Sequence, residues 1–433
     1  MSVTSALNAG VAGLSVNSTK LATISDNIAN SSTNGYKRVD TEFVSLVSGG
    51  ASTRYAAGGV RVETFRNVTA EGALVSTGNA TDLTVNGEGL IPVTTAAGLN
   101  TAGSPPLRLT STGSFNTDSN GFLRTEGGLF LLGWPANTDG SVTVPSRDSA
   151  AGLEPVQLNQ AIFASEATTE INLGLNLPAT ETLAGASDTT LTFPVEYIDS
   201  IGLAQTLTFE FDPDVPATGR SDAWTVNVYD SADPTVPAVP VASFDVDFDA
   251  TAASGGSIDA ITNDGGAYDA ATGVLTVPVQ GGAIAVDIGV PGNSSLTQLA
   301  GDFAPVSVTR NGTPIGTVDR YEVSEGGFIE AVYDTGFRQT VYQIPIGDVA
   351  NPNALRAEDG SAFSLTQDSG SIYFWDAASG PVGGLLGFTL EQSTTDITAE
   401  LTDLIQTQRA YSSNARIIQT IDEVLQETTN LIR

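Results

Sequence analysis

Residues 397–432 read ITAELTDLIQTQRAYSSNARIIQTIDEVLQETTNLI, and their apolar side chains recur every three or four positions. That spacing places them along one side of an α-helix, in a pattern close to the heptad of a coiled coil. Asp396, directly before the stretch, is a suitable N-cap. The sequence therefore predicts a long C-terminal amphipathic helix whose apolar stripe is formed by Ile397, Leu401, Leu404, Tyr411, Ala415, Ile418, Leu425 and Ile432.

A second stripe of the same kind lies at the other end of the chain. Between residues 1 and 36 only Lys20 and Asp26 are charged, and a turn-rich run from Asn30 to Gly35 ends the pattern. Spacings of three, four or seven predict an N-terminal helix whose apolar side is formed by Val3, Leu7, Val11, Leu14, Leu21, Ile24 and Ile28.

Two such helices at opposite ends allow two interpretations. They could form an antiparallel pair attached to an ordinary globular protein. They could also fold by packing on each other and on neighbouring copies, as the coiled-coil subunits of a polymer do, because isolated helices of this kind are marginal in water. The pattern alone leaves both open.

The sequence between the helices predicts β structure. The 433 residues include 46 Gly and 20 Pro, spread among Thr, Val and Ala, which is typical of short strands joined by turns. Strands are predicted at 83–85, 107–110, 121–125, 129–132, 191–197 and 224–229, with a hairpin at 327–336. The predicted fold class is mainly β with long terminal α-helices.

Composition argues against catalysis. The chain has no cysteine and no histidine, which excludes thiolate chemistry, histidine acid–base catalysis and almost all zinc, copper or haem sites. Lysine occurs only at Lys20 and Lys37, so phosphate-loop and Schiff-base roles are not expected either. Carboxylates remain the only side chains that could act as catalysts. We predict no catalytic residue, no cofactor and no metal site.

Charge is strongly negative and unevenly placed. The formal net charge is −32, which excludes binding to nucleic acid or to an anionic membrane through a general basic surface. Residues 158–316 carry 20 acidic residues against Arg220 and Arg310, a net charge of −18. This segment is predicted to face solvent.

Two short motifs resemble ligand sites but fail in detail. Asp245, Asp247 and Asp249 alternate as in a calcium loop, yet the required sixth-position glycine is Ala250 and the twelfth position is Gly256. A half-buried strand with an acidic outer side explains the alternation. Residues 86–89, Asn-Gly-Glu-Gly, lack the third glycine of a nucleotide loop and predict a tight turn.

The N-terminus has no basic region followed by an apolar run, and no stretch approaches 18 apolar residues. These features predict neither a cleaved signal peptide nor membrane insertion. The cysteine-free, acidic, Thr- and Gly-rich composition is nevertheless typical of proteins outside the cell. Export without a cleaved signal would reconcile the two observations.

Motifs at both ends resemble one known family. The N-terminal motifs are Ala12-Gly13-Leu14, Ser25-Asp26-Asn27-Ile28-Ala29-Asn30 and Asn34-Gly35-Tyr36-Lys37, and the C-terminal motif is Gln408-Arg409-Ala410-Tyr411-Ser412-Ser413-Asn414-Ala415. Together they resemble the paired signature of the rod, hook and junction proteins of the bacterial flagellum. The signature residues by this resemblance are Asn27, Asn30, Gly35, Tyr36, Gln408, Arg409 and Asn414.

Within that family the hook subunits are the most similar. Residues 80–90, 112–115 and 131–136 resemble the first half of the hook subunits' inner β domain, and residues 333–336 and 351–355 resemble its second half. The resemblance covers about 1–136 and 317–433. Leu90-Ile91-Pro92 departs from it, because the family usually has aromatic residues there.

The resemblance implies an architecture of four parts. Residues 1–36 with 397–433 would form a terminal helical core whose helices pair as a coiled coil. Residues 37–72 would be a linker or extended segment, 73–157 with 317–396 an inner β domain, and 158–316 an inserted acidic outer β domain. The polymerisation interface is then expected at Leu7, Leu14, Leu21, Ile24, Ile28, Leu401, Leu404, Tyr411, Ile418 and Leu425.

The resemblance also implies a function. Copies would polymerise into a flexible curved tube, the hook, which acts as a universal joint and transmits motor torque to the filament outside the cell. The implied partners are other copies of the chain, a rod protein below, a hook cap and a hook–filament junction protein above, and the type III export apparatus. Phe43 and Val47 fit the family's export-gate pattern of Phe, three residues and a hydrophobic residue, although an ordinary strand or linker anchor would show it too.

Other functions remain open at this point. A distal rod protein or a hook–filament junction protein would share the terminal motifs, but the large insert and the inner-domain motifs favour the hook. A different class is a secreted β-scaffold adhesin or a carboxylate glycosidase. The glycosidase would need two acids about 5 to 9.5 Å apart across a cleft, and an adhesin would not need amphipathic helices at both ends.

Overall fold

The computed structural model describes residues 3–47, 57–100, 106–137, 140–144, 146–158, 163–233, 239–251 and 255–431. These residues are mainly β, with helix α1 at Val3–Ala29 and helix α2 at Ile397–Leu431. The carboxylate of Asp396 accepts hydrogen bonds from the backbone N–H groups of Thr398, at 2.8 Å, and Ala399, at 3.2 Å, which confirms the predicted N-cap. Ile432 lies outside the described residues.

The strands are short and numerous, as the turn-rich composition predicts. The first eleven are β1 Val39–Val47, β2 Ala57–Arg66, β3 Leu74–Ser76, β4 Asp82–Asn86, β5 Ile91–Thr95, β6 Arg108–Thr110, β7 Thr112–Ser114, β8 Asn116–Thr117, β9 Leu123–Arg124, β10 Leu129–Pro135 and β11 Glu154–Pro155. The next fourteen are β12 Phe163–Glu166, β13 Glu170–Pro178, β14 Leu191–Ile198, β15 Ala204–Pro213, β16 Ala223–Asp230, β17 Ala242–Phe248, β18 Ile258–Thr262, β19 Tyr268–Asp269, β20 Val274–Val279, β21 Gly282–Asp287, β22 Gly289–Val290, β23 Asn293–Ser294, β24 Thr297–Leu299 and β25 Ala304–Arg310. The last nine are β26 Thr313–Val323, β27 Phe328–Tyr333, β28 Arg338–Gln343, β29 Ile346–Val349, β30 Arg356–Glu358, β31 Ala362–Ser364, β32 Ile372–Trp375, β33 Gly384–Leu386 and β34 Thr389–Glu391. Short 3₁₀ helices occupy Ala96–Asn100 and Pro352–Ala354.

The chain divides into two compact units. The first contains residues 1–160, 320–332 and 338–433, and the second contains residues 161–319 and 333–337. The terminal helices thus belong to the same unit as the β structure nearest to them in sequence. The four domain boundaries given above stay a prediction.

The second unit contains two sheets with one shared core. Strands β14 to β18 form an antiparallel meander in chain order, and the other sheet has the order β19-β20-β21-β13-β24, with β25 antiparallel to β13. On β15, Leu207, Phe209 and Phe211 are buried while the residues between them are only partly covered, the two-residue period of a half-buried strand. Inward side chains of both sheets form a single apolar cluster.

The first unit holds several smaller sheets around two apolar clusters. Its longest run of neighbouring strands is β27-β28-β10-β5-β6-β31-β30, and β33-β4-β7, β29-β32 and β3-β34 form separate small sheets. Strands β27 and β28 are antiparallel neighbours, so the hairpin predicted at 327–336 is confirmed. Leu90 and Ile91, at the departure from the family pattern, are buried at 5% and 0% exposure.

Two local predictions have clear outcomes. The segment 37–72 is not a plain linker, because β1 and β2 within it pair as an antiparallel hairpin. The sequence pattern concealed this hairpin because its outward side carries charged residues. On β17, Phe244, Val246 and Phe248 are buried and Asp247 is exposed, which confirms a half-buried strand with an acidic outer side.

Candidate functional site

The two terminal helices pack together in an antiparallel pair. Progress along α1 from residue 10 to residue 27 corresponds to progress along α2 from residue 418 back to residue 400. The contacts that define this direction are Gly10 with Ile418, Gly13 with Asn414, Lys20 with Asp403 and Asn27 with Glu400. The pairing of residues so far apart in sequence brings the two signature motifs into one place.

The side of each helix that faces the other includes several small and polar residues beside Ile418 of α2. A Cβ atom built on Gly13 would lie 2.8 Å from Asn414 Nδ2, and one on Gly10 would lie 3.2 Å from Ile418 Cγ1. On α2, Glu400 is 1% exposed and Thr407 is 4% exposed. The helices therefore approach closely without using most of their large apolar side chains.

Sequence analysis missed this small and polar contact. Glycine within a helix is about 1 kcal/mol less favourable than alanine, so two glycines three residues apart, Gly10 and Gly13, indicate a close approach. That signal was present in the sequence. No comparable signal marks Glu400 or Thr407, because buried polar residues in a helix are recognised only from their partners.

The predicted interface residues divide between buried and exposed positions. Ile24 is buried at 2% exposure. Intermediate exposure is found at Leu7, Leu14, Leu21, Ile28, Leu404 and Ile418. Leu401, Tyr411 and Leu425 are exposed at 46%, 40% and 42%. The pair therefore covers only part of the apolar stripes.

The uncovered apolar side chains of α2 form a row near its N-terminal end. Ile397, Leu401 and Ile405 are 47%, 46% and 52% exposed and follow one another at spacings of four, which places them on one side of the helix. Leaving three large aliphatic side chains in water forgoes roughly 1.5 to 3 kcal/mol for each. This row is an apolar surface that the described residues of the chain leave half exposed.

The signature residue Asn27 joins three elements. Its amide nitrogen donates to the carbonyl of Val39 at 2.9 Å and to the carboxylate of Glu400 at 3.1 Å. Its amide oxygen accepts from the N–H of Val39 at 2.9 Å and from the hydroxyl of Tyr36 at 3.1 Å. One buried side chain with all of its hydrogen bonds made thus fixes α1, β1 and α2 together.

Tyr36 is held in the same cluster. Its hydroxyl lies 3.0 Å from Asp26 Oδ2, and the guanidinium of Arg66 lies 4.9 Å from the ring centroid. Burial, with the hydrogen bond to Asp26, raises the pKa of Tyr36 to about 12. The neutral phenol is therefore the form that the folded structure favours.

A buried ion pair joins the segment that follows α1 to the segment that precedes α2. Lys37 Nζ lies 2.6 Å from Glu391 Oε1, and the side chains are only 3% and 4% exposed. The ammonium also donates to the carbonyl of Ala70 at 2.7 Å, and the carboxylate accepts from the N–H of Gly72 at 2.7 Å and from the hydroxyl of Ser111. Buried charges with this many partners fix the geometry around them.

The remaining signature residues have different surroundings. Asn30 donates to the carbonyl of Asp26 at 2.9 Å and shapes the turn after α1. Gly35 has a φ of +69°, a left-handed conformation that favours glycine, and its N–H donates to the carbonyl of Glu391 at 2.8 Å. Gln408 and Arg409 are exposed on α2.

The predicted export-gate residues lie on β1. Phe43 is 43% exposed, and Lys20 Nζ lies 5.9 Å from its ring centroid. The side chain of Val47 lies outside the described residues. The pattern is thus part of a strand, and its role stays a prediction.

The described part of the chain shows neither a metal site nor a membrane-spanning helix. No group of three or more acidic side chains is placed to hold a metal ion there. Within the same residues, neither helix is both long and apolar enough to cross a membrane.

A cavity of about 370 Å³ lies beside Lys37 and Glu391, and its lining includes Val68, Leu90 and Val349.

Comparisons with known proteins agree on one family. Residues 7–37 match the family model described as flagella basal body rod protein, and residues 388–431 match the one described as flagellar basal body rod FlgEFG protein C-terminal. The flagellar hook protein FlgE of Brucella suis biovar 1 (strain 1330) is 32% identical over 442 residues, covering 100% of both chains. That of Rhizobium meliloti (strain 1021) is 33% identical over 443 residues with the same coverage. The crystal structure of Helicobacter pylori flagellar hook protein FlgE2 is similar over 72% of this chain and 98% of that chain, at 14% identity and a TM-score of 0.47.

Proposed function

Because this chain belongs to the flagellar hook protein family, we propose that its terminal helix pair is the element through which copies assemble into the tube of the hook. The protein is a structural subunit of the flagellar hook and not an enzyme. Full-length similarity to hook proteins favours this function over the distal rod and junction alternatives. It also leaves no support for an adhesin or a glycosidase.

The observation that carries the proposal is the uncovered apolar row on α2. Ile397, Leu401 and Ile405 are each about half exposed, although α2 is already packed against α1. A row of this kind marks a surface for another protein. In a homopolymer, the terminal helices of neighbouring copies would cover it and extend the pair into a coiled-coil layer that includes Leu404, Tyr411, Ile418 and Leu425.

The radial position of each part is proposed from the resemblance to the family. The terminal helices, residues 1–36 with 397–433, would line the central channel, and residues 1–36 carry only Lys20 and Asp26 as charges. Residues 73–157 with 317–396 would form a mesh around them. Residues 158–316, with a net charge of −18, would face outward into water as an inserted domain.

A bending tube places a second demand on the outer part. Each copy passes from the inside to the outside of the bend during rotation, so outer contacts must slide while torque is transmitted. Dense negative charge keeps such contacts weak and polar, because like charges facing each other repel. The acidic insert therefore suits a universal joint.

The partners proposed for the ends of the tube come from the resemblance. They are a rod protein below, and a hook cap and a hook–filament junction protein above. Export through the type III apparatus, with Phe43 and Val47 as the gate-contacting pattern, would bring subunits out without a cleaved signal. A chain with no cysteine could be threaded without forming cross-links.

Negative-stain electron microscopy tests the central proposal. The full chain is compared, at high protein concentration and moderate salt, with a version that lacks residues 1–36 and 397–433. Curved tubes from the full chain alone are expected. Tubes from the shortened version would contradict a helix-driven assembly, and no tubes from either, even with a hook cap supplied, would contradict the proposed role of the helices.

A further inference from the structure

Two further surfaces of the first unit are the outward side of the hairpin of β1 and β2 and the side of α2 that faces away from α1. We propose that these two surfaces bind each other between neighbouring copies, with Glu42 and Glu63 of one copy against Arg409 and Arg416 of the next. This inference rests on the proposed function, because it names contacts within the polymer.

The hairpin has one side against α1 and one side outward. Phe43 pairs with Val62 in the strand register, and Phe43 lies over Lys20 of α1. Neighbouring residues along a strand point to opposite sides, so the pair Glu42 and Glu63 points away from α1. Both glutamates are exposed.

Two glutamates directly opposite each other are an unfavourable cross-strand pair. Glu63 accepts a hydrogen bond from Arg61, whereas Glu42 forms no salt bridge within the described residues. Phe65 lies on the same outward side and is 43% exposed. Among the described residues, the outward side of the hairpin thus combines the unpaired carboxylate of Glu42 with a partly exposed aromatic ring.

The far side of α2 has the complementary features. Arg409 follows buried Thr407 by two residues, and Arg416 follows Asn414 by two, a rotation of about 200° that places both arginines away from α1. Ile405, Arg409, Ser412 and Arg416 follow at spacings of four, three and four, so they share one side of the helix. Neither arginine forms a salt bridge in the described part of the chain.

The two surfaces match in charge and in composition. Two unpaired guanidinium groups on one side of a helix, about 10 Å apart by helix geometry, face a partner that needs positive charge. Ile405, 52% exposed, offers apolar contact for Phe65. A single exposed ion pair contributes little, but the same contact repeats for every subunit of a polymer.

The proposed contact also explains why growth does not stop at a dimer. The two surfaces are different parts of the same chain, and each copy has both. A contact between unlike surfaces is heterologous, so it joins copies head to tail and builds an open helical assembly unless the rotation closes a ring.

Charge reversal with rescue tests the pairing. The variant Arg409→Glu with Arg416→Glu would place four acids together, and the critical concentration for polymerisation, measured by sedimentation, is expected to rise roughly tenfold or more. Glu42→Lys with Glu63→Lys should act similarly. All four substitutions in one chain should restore assembly to near the unmodified value, a result that damage to folding would not give.

A matched control separates charge from position. Arg124→Glu with Arg356→Glu makes the same change in net charge at two exposed arginines elsewhere in the same unit, and the critical concentration should stay within about twofold. Circular dichroism of each variant checks the helix content. An equal loss of assembly in this control would overturn the proposed pairing.

Cysteine cross-linking gives an independent measurement, because the natural chain has no cysteine. Glu42→Cys with Arg409→Cys in one chain should yield a ladder of disulfide-linked oligomers after oxidation of the polymer, and Glu126→Cys with Arg409→Cys should not. Polymer without a ladder or without charge rescue would overturn the pairing and leave the proposed function standing. Failure of the unmodified chain to polymerise, even with a hook cap, would overturn both.

Discussion

The β-sandwich of residues 161–319 and the terminal helix pair handle apolar side chains in opposite ways. In the sandwich, Trp224, Phe209 and Phe211 are at most 1% exposed. In the helix pair, glycine, asparagine and threonine occupy the contact, while Leu401 and Ile405 are 46% and 52% exposed. The sandwich covers its own core, whereas the helix pair leaves apolar surface for other chains.

The difference shows where stability and assembly are encoded. The apolar core of the sandwich is buried within a single chain, so substitutions in that core should affect the folding of that unit. The helix pair is held in place by hydrogen bonds and a buried ion pair, and several of its large apolar side chains are exposed, although Val16 and Ile24 are buried. Changes on its outer surface should therefore affect assembly more than folding.

The largest expected effect is the loss of assembly. Leu401→Asp with Ile405→Asp places two charges in the uncovered row of α2, where burial by a neighbouring copy would leave them unpaired. Tubes should be absent in electron microscopy, and the helix content of the subunit should be retained. Ile201→Asp, at a 70% exposed apolar residue of the sandwich, is the matched control and should still assemble. Normal tubes from the α2 variant would show that the exposed apolar row on α2 is not needed for assembly.

The predicted stripes themselves provide a companion test. Leu21→Asp or Leu404→Asp, at half-covered positions of the two helices, should also prevent assembly while both β regions stay folded. The reason is that a charge there opposes both the helix pair and its contacts with other copies. Thermal unfolding of both β regions, followed by the fluorescence of Trp224 in the sandwich and of Trp134 and Trp375 in the first unit, should match the unmodified chain. Assembly by either variant would show that the stripes do not mediate it.

The next effect concerns the anchor of the helix pair. Lys37→Met leaves the buried carboxylate of Glu391 without its cation and is expected to lower the free energy of unfolding of the first unit by about 3 to 5 kcal/mol. Lys37→Met with Glu391→Gln should recover part of this loss, because no charge is then left buried. Denaturant unfolding measures both. Equal stability of the single and double variants would contradict a role for the ion pair.

A smaller effect is expected at the close approach of the helices. Gly13→Ala adds a methyl group 2.8 Å from Asn414 Nδ2, so the end of that side chain must shift. Because alanine favours a helix by about 1 kcal/mol over glycine, the variant should gain less stability than that or lose up to about 1 kcal/mol. Gly78→Ala, where a Cβ atom meets nothing within 4 Å, is the control. Thermal unfolding compares the two. A gain of the full helix-propensity contribution would mean that the added methyl group meets no close neighbour on α2.

The smallest effect is a pH dependence of stability at Tyr36, which follows the C-terminal end of α1. The pKa of Tyr36 is raised to about 12, so the stability that its neutral phenol contributes is fully present below about pH 10 and is lost as the pH rises through about 12. Tyr36→Phe should reduce this loss, whereas Tyr373→Phe, at an exposed tyrosine, should not. Helix content against pH is the measurement. Identical curves for both variants would exclude the contribution of Tyr36.

Much of the fold could be predicted from the sequence because its signals are local. The helix boundaries at Ala29 and Asp396, the alternation on β17 and the hairpin at 327–336 each depend on spacing, capping or turn residues within a few positions. The hairpin of β1 and β2 was not predicted because one of its sides lies beside α1, which is not evident from local sequence, and its outward side reads as a charged linker.

The candidate site was harder to predict because its key contacts are distant in sequence. Asn27 and Glu400, or Lys37 and Glu391, become partners only after the chain returns, and nothing local marks Glu391 or Glu400 as buried. The apolar stripes were visible, but their burial was not: spacing indicates which residues share a side of a helix, and the partner decides which side is covered.

The hydrogen bond from Asn27 to Glu400 spans 373 positions of the chain, so it can form only when both ends of the chain are present. During synthesis, residues 161–319 are available to fold long before α2 exists, and α1 has no partner until the last segment is made. A subunit cut short near its C-terminus would keep a folded sandwich but lack the helix pair. If the helix pair mediates assembly as proposed, copies that are not full length would be kept out of the growing structure.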